Sequence, residues 1–258
     1  MKLTPGTRVV ITGASRGIGA ALARQLAARG CELGLVARGE DGLRELVDSL
    51  PGDGHRALAA DVADRDSIRA AIAEFGDVDV IVANAGVAHY GKWLDLDEGL
   101  EDRMTEINWL GTLYTVRAAL PSMVERHHGH VVIVSSGAAL RTFPGAAVYG
   151  ATKSAQRGFG EALRHELTGT GVGLTMVYPG QVKSSLHAHE KERMPDWYDL
   201  DAAAAPEPLA KAIVEAVEQD KREVFYPPNV RLLRIVHGVN PGLADAMLRR
   251  IMHRSAAP

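Results

Sequence analysis

Short apolar runs rich in β-branched residues alternate along the chain with longer segments whose apolar positions recur every three or four residues. The short runs predict buried strands, and the longer period predicts helices that bury one face. Parallel strands need such crossover segments between them, so the alternation predicts a parallel sheet. Seven strands are predicted, over Arg8 to Thr12, Glu32 to Ala37, Arg56 to Ala60, Val78 to Ala83, His130 to Ser135, Gly173 to Tyr178 and Glu223 to Tyr226.

Three of the intervening helices show their buried faces directly. Right-handed crossovers place such helices on both faces of the sheet, which gives a single doubly wound, Rossmann-type α/β domain. Ligands of this architecture bind beyond the carboxyl ends of the strands, so residues just after a strand are the candidates for chemistry. The three apolar faces consist of Ile18, Leu22 and Leu26, of Leu43, Leu46, Val47 and Leu50, and of Ile68, Ile72 and Phe75.

Two regions depart from the alternation. The segment from residue 184 to about residue 208 is too long for an ordinary connection between a strand and a helix, and we expect a substrate lid there. The domain proper is expected over residues 1–228, and residues 229–258 are expected to extend it as an amphipathic helical tail with Leu243, Met247 and Ile251 on one side. Such a basic helix can lie on an anionic membrane surface, but packing on its own domain or on a partner subunit is commoner and is favoured here.

Composition narrows the class of protein. The 258 residues are 46% hydrophobic and 24% charged, as in ordinary globular proteins, and a net charge of −3 leaves no broad basic surface for nucleic acid. Cys31 is the single cysteine, which excludes an internal disulfide framework and fits a reducing cytoplasm. Neither a secretory signal nor a run of about 18 apolar residues is recognisable, so a cytoplasmic protein without a transmembrane segment is expected.

A glycine-rich segment from Thr12 to Gly19, TGASRGIG, directly follows the first strand and opens the first helix. Glycines let the backbone turn sharply and approach a pyrophosphate, whose charge is met by amide N–H groups and by the positive end of the helix. Because the strand and the helix flank the loop in the required order, the segment predicts a dinucleotide site.

The spacing of this loop, TGxxxGIG, resembles that of the short-chain dehydrogenase/reductase family. Agreement with the family extends over about residues 5–226, with its motifs in the same order, and does not include the tail. The further matching motifs are Asn84-Ala85-Gly86 after the fourth strand, Asn108 on the next helix, Ser136 after the fifth strand, Tyr149 and Lys153 in a YxxxK pattern, and Pro179-Gly180 after the sixth strand.

Tyr149 and Lys153 are four residues apart, so on a helix they share one face. A free tyrosine has a pKa near 10, and an adjacent ammonium and a positively charged nicotinamide are expected to lower that pKa toward neutrality. The resemblance implies that Tyr149 exchanges a proton with the substrate oxygen while hydride moves to or from nicotinamide, and that Ser136 hydrogen-bonds the same oxygen. It also implies that Lys153 holds the nicotinamide ribose and that Asn108 anchors a water of a proton relay. Ser135 is the rival to Ser136, and the resemblance favours Ser136 because its separation of 13 residues from Tyr149 is the usual one in the family.

The cofactor is predicted from charge to be NADP (NADPH). An NAD site places an acid at the end of the second strand, whereas an NADP site removes it and offers arginine to the 2′-phosphate. Here Arg38 follows that strand and Arg16 lies in the glycine loop, although Glu40 or Asp41 could still reach the ribose.

The resemblance assigns the remaining cofactor contacts. Asp61 and Val62 are expected at the adenine, and Val182 at the nicotinamide carboxamide. The complete expected cofactor set is Gly13, Ser15, Arg16, Gly17, Ile18, Gly19, Arg38, Asp61, Val62, Asn84, Ala85, Gly86, Tyr149, Lys153, Pro179, Gly180, Val182 and Ser184.

These observations predict an NADP(H)-dependent oxidoreductase that acts on an apolar or weakly polar ketone or secondary alcohol, as a homodimer or homotetramer. Two alternatives remain: an isomerase, epimerase or dehydratase that retains its nicotinamide, and a dinucleotide-binding regulator without turnover. Substrate contacts are expected from Val87 to Trp93, from Ala138 to Phe143 and from the lid, with Trp93, Leu140 and Phe143 among them. No metal is expected. The neighbouring histidines are interpreted as a solvated turn and not as a metal cluster: His127, His128 and His130.

Overall fold

The computed structural model describes residues 1–183 and 203–246, and within them seven strands form one parallel sheet. All seven predicted strands are present, and their ends differ from the prediction by two residues at most. The strands are β1 Arg8–Thr12, β2 Glu32–Ala37, β3 Arg56–Ala59, β4 Val80–Ala83, β5 Gly129–Val134, β6 Val172–Pro179 and β7 Glu223–Tyr226, in the order β3-β2-β1-β4-β5-β6-β7.

Helices connect successive strands. A π-helical segment, Thr105–Leu110, joins the helices Glu98–Met104 and Gly111–Glu125 into one continuous helix. Residues 241–246 are also helical. The helices are α1 Gly17–Ala27, α2 Glu40–Ser49, α3 Arg65–Phe75, α4 Glu98–Met104, α5 Gly111–Glu125, α6 Ala147–Glu166, α7 Pro206–Glu218 and α8 Val230–Val239.

The sheet separates two hydrophobic cores. Successive side chains of a strand point to opposite faces, so Val9 and Ile11 of β1 join the core under α1, α2 and α7, while Val10 joins the core under α3, α5 and α6. Each strand of the middle of the sheet is therefore apolar on both sides, which explains why the strands appear in the sequence as continuous apolar runs. The expected doubly wound α/β fold is confirmed.

The strand order reverses at the centre of the sheet. The chain leaves β1 toward β2 and β3 on one side, then returns to β4 on the other side of β1. A crevice opens at the carboxyl ends of β1 and β4 because their connections diverge to opposite faces. The glycine-rich loop and Asn84 lie at this crevice.

His130 departs from the expected solvated turn. It is 1% exposed, and its Nε2 lies 2.8 Å from the hydroxyl of Thr175 on β6, whereas His127 and His128 are exposed. Burial lowers the pKa of His130 to about 4. The interpretation was wrong for His130 because its imidazole does not face solvent: it lies in β5 against Thr175 of the neighbouring strand β6.

The two departures from the alternation lie partly outside the described residues. Residues 184–202 of the expected lid are among those not described, and α7 begins at Pro206 within its predicted end. The tail begins with α8, but Met247 and Ile251 of its expected stripe are not described either. No helix of the described part is long and apolar enough to span a membrane.

Candidate active site

The glycine-rich loop is shaped by contacts that only glycine permits. Gly13 and Gly17 have φ angles of 66° and 57°, which L side chains rarely adopt. A Cβ on Gly19 would lie 2.3 Å from the carbonyl oxygen of Gly13. The first turn of α1 therefore folds tightly over the end of β1, and no side chain caps its free N–H groups.

Thr12 and Asn84 fix this loop to β4. The Thr12 hydroxyl donates to the carbonyl of Val82 at 3.2 Å and accepts from the backbone N–H of Asn84 at 3.1 Å. The side-chain amide of Asn84 donates to the carbonyls of Thr12 and Gly13 at 2.9 and 3.2 Å. Asn84, expected as a cofactor contact, thus uses its amide to hold the loop. Thr12 belongs to the TGxxxGIG motif but was not among the expected cofactor contacts, and it has the same role.

The rim of the crevice carries two exposed arginines, Arg16 before α1 and Arg38 after β2. The acids nearest to Arg38 in sequence lie in the first turn of α2, where Glu40 pairs with Arg44 at 2.6 Å. Asp61, after β3, pairs with Arg103 at 2.8 Å.

The carboxyl group of Asp61 stays ionised. Its partial burial opposes ionisation, but hydrogen bonds from Arg103 and from the N–H of Ala63 outweigh burial. Together with the charges of Arg103 and Arg38 they lower the pKa of Asp61. The positive rim is therefore only partly offset by this acid, which is already paired.

The remaining expected cofactor residues line the same edge of the sheet. Val62 is buried against Gly111 of α5, where a Cβ would lie 2.9 Å from Val62 Cγ2. Val182 is buried and bridges to Ala204. Ser15 and Ile18 are half-buried at the start of α1, Ala85 and Gly86 follow β4, and Pro179 and Gly180 end β6, whereas Ser184 lies outside the described residues.

The two adjacent serines after β5 have different partners. Ser135 is buried and donates its hydroxyl to the backbone carbonyl of Lys153 at 2.9 Å. Ser136 accepts from the N–H of Ala138 at 3.1 Å, and its hydroxyl lies near enough to the Tyr149 phenol to act on it. Ser136 and Tyr149 therefore meet, as the spacing favoured, and Ser135 anchors helix α6.

Tyr149 is 5% exposed and lies in an apolar cluster with Tyr90 and Met104. The ring centroids of Tyr149 and Tyr90 are 6.1 Å apart, and Phe143 stacks on Tyr90 with a centroid distance of 6.4 Å. Burial raises the pKa of the Tyr149 phenol, and the Ser136 hydroxyl offsets only part of that rise. The expected lowering is absent in the protein alone, because loss of solvation outweighs the effect of Ser136 on the phenol.

The Lys153 ammonium shares this buried environment. It is 4% exposed, its Nζ donates to the carbonyl of Val134 at 3.3 Å, and it lies 5.9 Å from the centre of the Tyr149 ring. Burial lowers the pKa of Lys153 to about 8. Gly86 faces it, since a Cβ on Gly86 would lie 3.4 Å from Nζ and 3.2 Å from Asn108 Oδ1.

Asn108 is fully buried in the π-helical segment between α4 and α5. Its side chain pairs with the backbone of Val87, accepting at 2.8 Å and donating at 2.9 Å, and also donates to Thr152 at 3.1 Å. Its backbone carbonyl accepts from Thr112 at 2.8 Å and from Gln156 at 2.7 Å. Asn108 thus ties the loop after β4 to α6.

Gln156 was not found from the sequence. It is fully buried on α6, one turn after Lys153, and its amide also donates to the Thr112 hydroxyl at 2.7 Å. A polar residue on the buried face of a helix was the available signal.

The expected substrate contacts lie in three different environments. Phe143 packs in the apolar cluster around Tyr149, and Trp93 is 59% exposed. Leu140 is buried in the core under α3, α5 and α6.

The model of the family described as short chain dehydrogenase matches residues 7–195. That match spans most of the chain, including the glycine-rich loop and the residues around Tyr149. The chain belongs to the short-chain dehydrogenase family. It is accordingly an oxidoreductase by family.

Relatives of this short-chain dehydrogenase agree over most of its length. An uncharacterised oxidoreductase of Staphylococcus aureus is 32% identical over 216 residues, which are 82% of this chain and 91% of the relative. The glycine betaine reductase of Emericella nidulans is 35% identical over 224 residues, which are 83% of this chain but only 18% of that longer protein.

Solved structures of the family superpose on this short-chain dehydrogenase. A short-chain dehydrogenase/reductase from Burkholderia phymatum in complex with NAD has a TM-score of 0.83 at 25% identity, covering 92% of this chain and 95% of the other. A short-chain dehydrogenase from Sphingobium yanoikuyae in complex with NADPH has a TM-score of 0.81 at 25% identity, covering 93% and 95%. Both nicotinamide cofactors thus occur among its structural relatives.

Proposed function

We propose that the protein is an NADP(H)-dependent oxidoreductase that interconverts an apolar or weakly polar ketone and the corresponding secondary alcohol. The observation that carries the proposal is that the Ser136 hydroxyl and the Tyr149 phenol face each other beside the buried ammonium of Lys153. Two hydroxyls directed at one point can bind one substrate oxygen, and one of them can exchange a proton with it. A regulator that only bound a dinucleotide would not need this arrangement.

The chain's own residues supply binding and proton transfer. In the reductive direction the Tyr149 phenol donates its proton to the carbonyl oxygen, and Ser136 hydrogen-bonds that oxygen as negative charge develops on it. The Lys153 ammonium stabilises the phenolate that remains. A bound nicotinamide supplies the hydride in this direction and accepts it in the other.

Reprotonation of Tyr149 proceeds through Lys153 toward Asn108. The backbone carbonyl of Asn108 already accepts two hydrogen bonds, from Thr112 and Gln156, so a relay water held by Asn108 uses its side-chain Oδ1. Oδ1 and Lys153 Nζ both face Gly86, which supports this route.

The residues present fit a dinucleotide phosphate. The tight glycine turn and the uncapped N-terminus of α1 form a cradle for a pyrophosphate, and a Cβ at Gly13 or Gly19 would clash with the backbone that shapes it. Arg16 and Arg38 are exposed at the rim, where they can pair with a 2′-phosphate, while Glu40 pairs with Arg44 and Asp61 with Arg103. This charge balance favours NADP over NAD.

The substrate class follows from the surroundings of Tyr149. The side chains packed around the phenol are apolar or aromatic and include Tyr90, Met104 and Phe143. An anionic substrate would lose its hydration against these side chains, and the Lys153 ammonium is already engaged with the carbonyl of Val134. We therefore propose a neutral carbonyl compound as substrate, and a cytoplasmic homodimer or homotetramer as the working form.

The reaction is tested with a panel of ketones and secondary alcohols and both nicotinamide cofactors, followed by absorbance of the reduced cofactor. Tyr149→Phe should lower kcat by about 100-fold or more, since general acid–base catalysis contributes roughly 10²–10⁴-fold. Tyr114→Phe, which removes a hydroxyl from α5, is the matched control and should retain activity. A loss below about tenfold in Tyr149→Phe would remove the phenol from the mechanism.

Cofactor choice is tested in the same assay with Arg38→Ala. Loss of a charge-assisted hydrogen bond of about 1.5–3 kcal/mol should lower kcat/KM for NADPH by roughly 10- to 150-fold and leave NADH little changed. Arg56→Ala, an exposed arginine at the start of β3 and so at the opposite edge of the sheet, should leave both unchanged. Strong preference of the native enzyme for NADH contradicts the NADP assignment, and tightly retained cofactor without net NADPH oxidation supports an isomerase, epimerase or dehydratase instead.

A further inference from the structure

Helix α8 is apolar on the side that faces solvent. Val230 is the residue of α8 that is buried, and it anchors the helix to the domain. At about 100° per residue, Leu232, Ile235 and Val239 lie about 140–200° around the helix from Val230. Their side chains are 55%, 52% and 82% exposed. We call these three residues the outer stripe; Leu243, in the following helical turn, is 53% exposed and adds to it.

The favoured packing of the tail on its own domain accounts for only one side of α8. The inner side of the helix contacts the domain at Gly137 and Gly180. A Cβ added to either glycine would lie 3.3 Å or 2.9 Å, respectively, from the Val230 side chain. The outer stripe leaves most of its apolar surface in solvent. An apolar row on the far side of a docked helix is expected where a second surface covers it.

The location of α8 connects the outer stripe with the candidate active site. Gly137 directly follows Ser136, and Gly180 directly follows β6, so α8 lies at the sheet edge where the catalytic groups meet. An ion pair between Arg141 and Asp245 fixes the next helical turn to the same edge. A surface that covers the outer stripe therefore lies beside the entrance to the site.

The basic charge of the C-terminal residues indicates what kind of surface covers the outer stripe. Residues 229–258 contain five arginines and one aspartate, whereas the rest of the chain contains 24 basic and 31 acidic residues. Of these arginines, Arg234 pairs with Glu223 and three lie outside the described residues. Arg231, exposed on α8, flanks the outer stripe. An apolar row bordered by arginine suits an anionic lipid surface, and the acidic remainder turns the rest of the molecule away from it. A second copy of α8 would instead bring like charges together.

We propose that the outer stripe of α8 docks the protein on an anionic lipid bilayer with the candidate active site at the membrane surface. Binding to the bilayer does not depend on the reaction proposed above. The consequence that the apolar carbonyl substrate enters from the lipid rests on the proposed function.

The test is sedimentation of the full chain with vesicles of phosphatidylcholine containing 30% phosphatidylglycerol. We expect binding to these vesicles, weakened at least about tenfold by the double variant Leu232→Ser and Val239→Ser and severalfold by Arg231→Gln. Leu94→Ser, which alters a leucine that is 87% exposed on another element, should bind like the native chain. Activity on a water-soluble ketone should be the same in all four proteins, which separates this proposal from the proposed function.

Three outcomes overturn the proposal. The first is absence of binding to the anionic vesicles, and the second is equal binding to vesicles of phosphatidylcholine alone. The third is a change of mass in solution: if the double variant shifts the native oligomer to a smaller species in light scattering, the outer stripe is covered by a second copy.

Discussion

Ser135 and Ser136 are neighbours of the same type with different tasks. Extended backbone points successive side chains to opposite sides, so one hydroxyl faces the backbone of α6 and the other faces Tyr149. The first fixes the helix that carries Tyr149 and Lys153, and the second lies against the phenol. At the scale of single residues, the site depends as much on the anchoring hydroxyl as on the reactive one.

Gln156 shows the same division for a buried amide. Its Nε2 makes two hydrogen bonds, but its Oε1 is buried without a partner among the described residues. An unpaired buried oxygen costs about 1–3 kcal/mol, so the amide is retained for what its N–H groups hold, which is the carbonyl of Asn108 and the hydroxyl of Thr112.

Two substitutions of Gln156 should distinguish the effect of a lost hydrogen bond on stability from the effect of a buried charge. Gln156→Leu loses two hydrogen bonds but also removes the unpaired oxygen, so its free energy of unfolding should change by no more than about 1 kcal/mol. Gln156→Glu places a carboxylate against a carbonyl, which raises the pKa of Glu at this site; its stability should be highest below about pH 4 and fall by about 3 kcal/mol or more as the pH rises to 8. Urea unfolding of both variants at pH 5 and pH 8 measures this, and a Glu variant insensitive to pH would contradict it.

At the scale of elements, α6 brings three functional side chains to one side. Tyr149, Lys153 and Gln156 are separated by four and three residues, which places them on the face of α6 that packs against the sheet and the π-helical segment. Gly160 lies on the same face, where a Cβ would approach Met176 Sδ to 2.2 Å, while Gly158 on the outer face has nothing within 4 Å.

These two glycines predict opposite effects of one substitution. Gly158→Ala should raise the free energy of unfolding by about 0.5–1 kcal/mol, because alanine loses less backbone entropy in a helix. Gly160→Ala should lower it by about 1–3 kcal/mol, because the added methyl overpacks the contact with Met176. Chemical denaturation of the pair checks this, and the same sign in both variants would show that α6 packs on the sheet differently.

At the scale of the whole molecule, the site exists because the strand order reverses between β1 and β4. The glycine-rich loop leaves β1 and Asn84 leaves β4, so the two meet although 72 residues separate Thr12 from Asn84. The two cores on either side of the sheet hold these ends in register. Away from this edge, His130 of β5 contacts Thr175 of the neighbouring strand β6. Its protonation therefore affects the stability of the whole fold.

His130 predicts how the protein responds to acid. Its pKa of about 4 in the folded state lies below the value of about 6.5 in the unfolded chain, because burial disfavours the charged form. The neutral imidazole contributes up to about 3 kcal/mol to the free energy of unfolding. This contribution is complete above pH 6.5 and is lost as the pH falls toward 4. His130→Asn should therefore lose less stability than the native protein between pH 7 and pH 4, whereas His128→Asn, at an exposed position, should follow the native curve. Equal acid slopes for the native protein and His130→Asn would show that the imidazole is protonated in the folded state.

The sequence alone predicted all seven strands, the two-sided burial of the sheet and the family. Those features depend on backbone periodicity and on the order of short motifs, both of which are local. It also named Ser136, Tyr149 and Lys153, because a strand end and a helical spacing of four are readable without knowing what surrounds them.

Only the tertiary structure decided the environments of these groups. Gln156 meets Asn108 across 48 residues of sequence, and no local pattern encodes that contact. The raised pKa of Tyr149 and the lowered pKa of Lys153 and His130 depend on desolvation by every segment packed around them. Leu140 likewise belongs to the core because of how its turn lies on the sheet. Periodicity determines which side of an element is buried, but packing of distant segments determines how completely and against what.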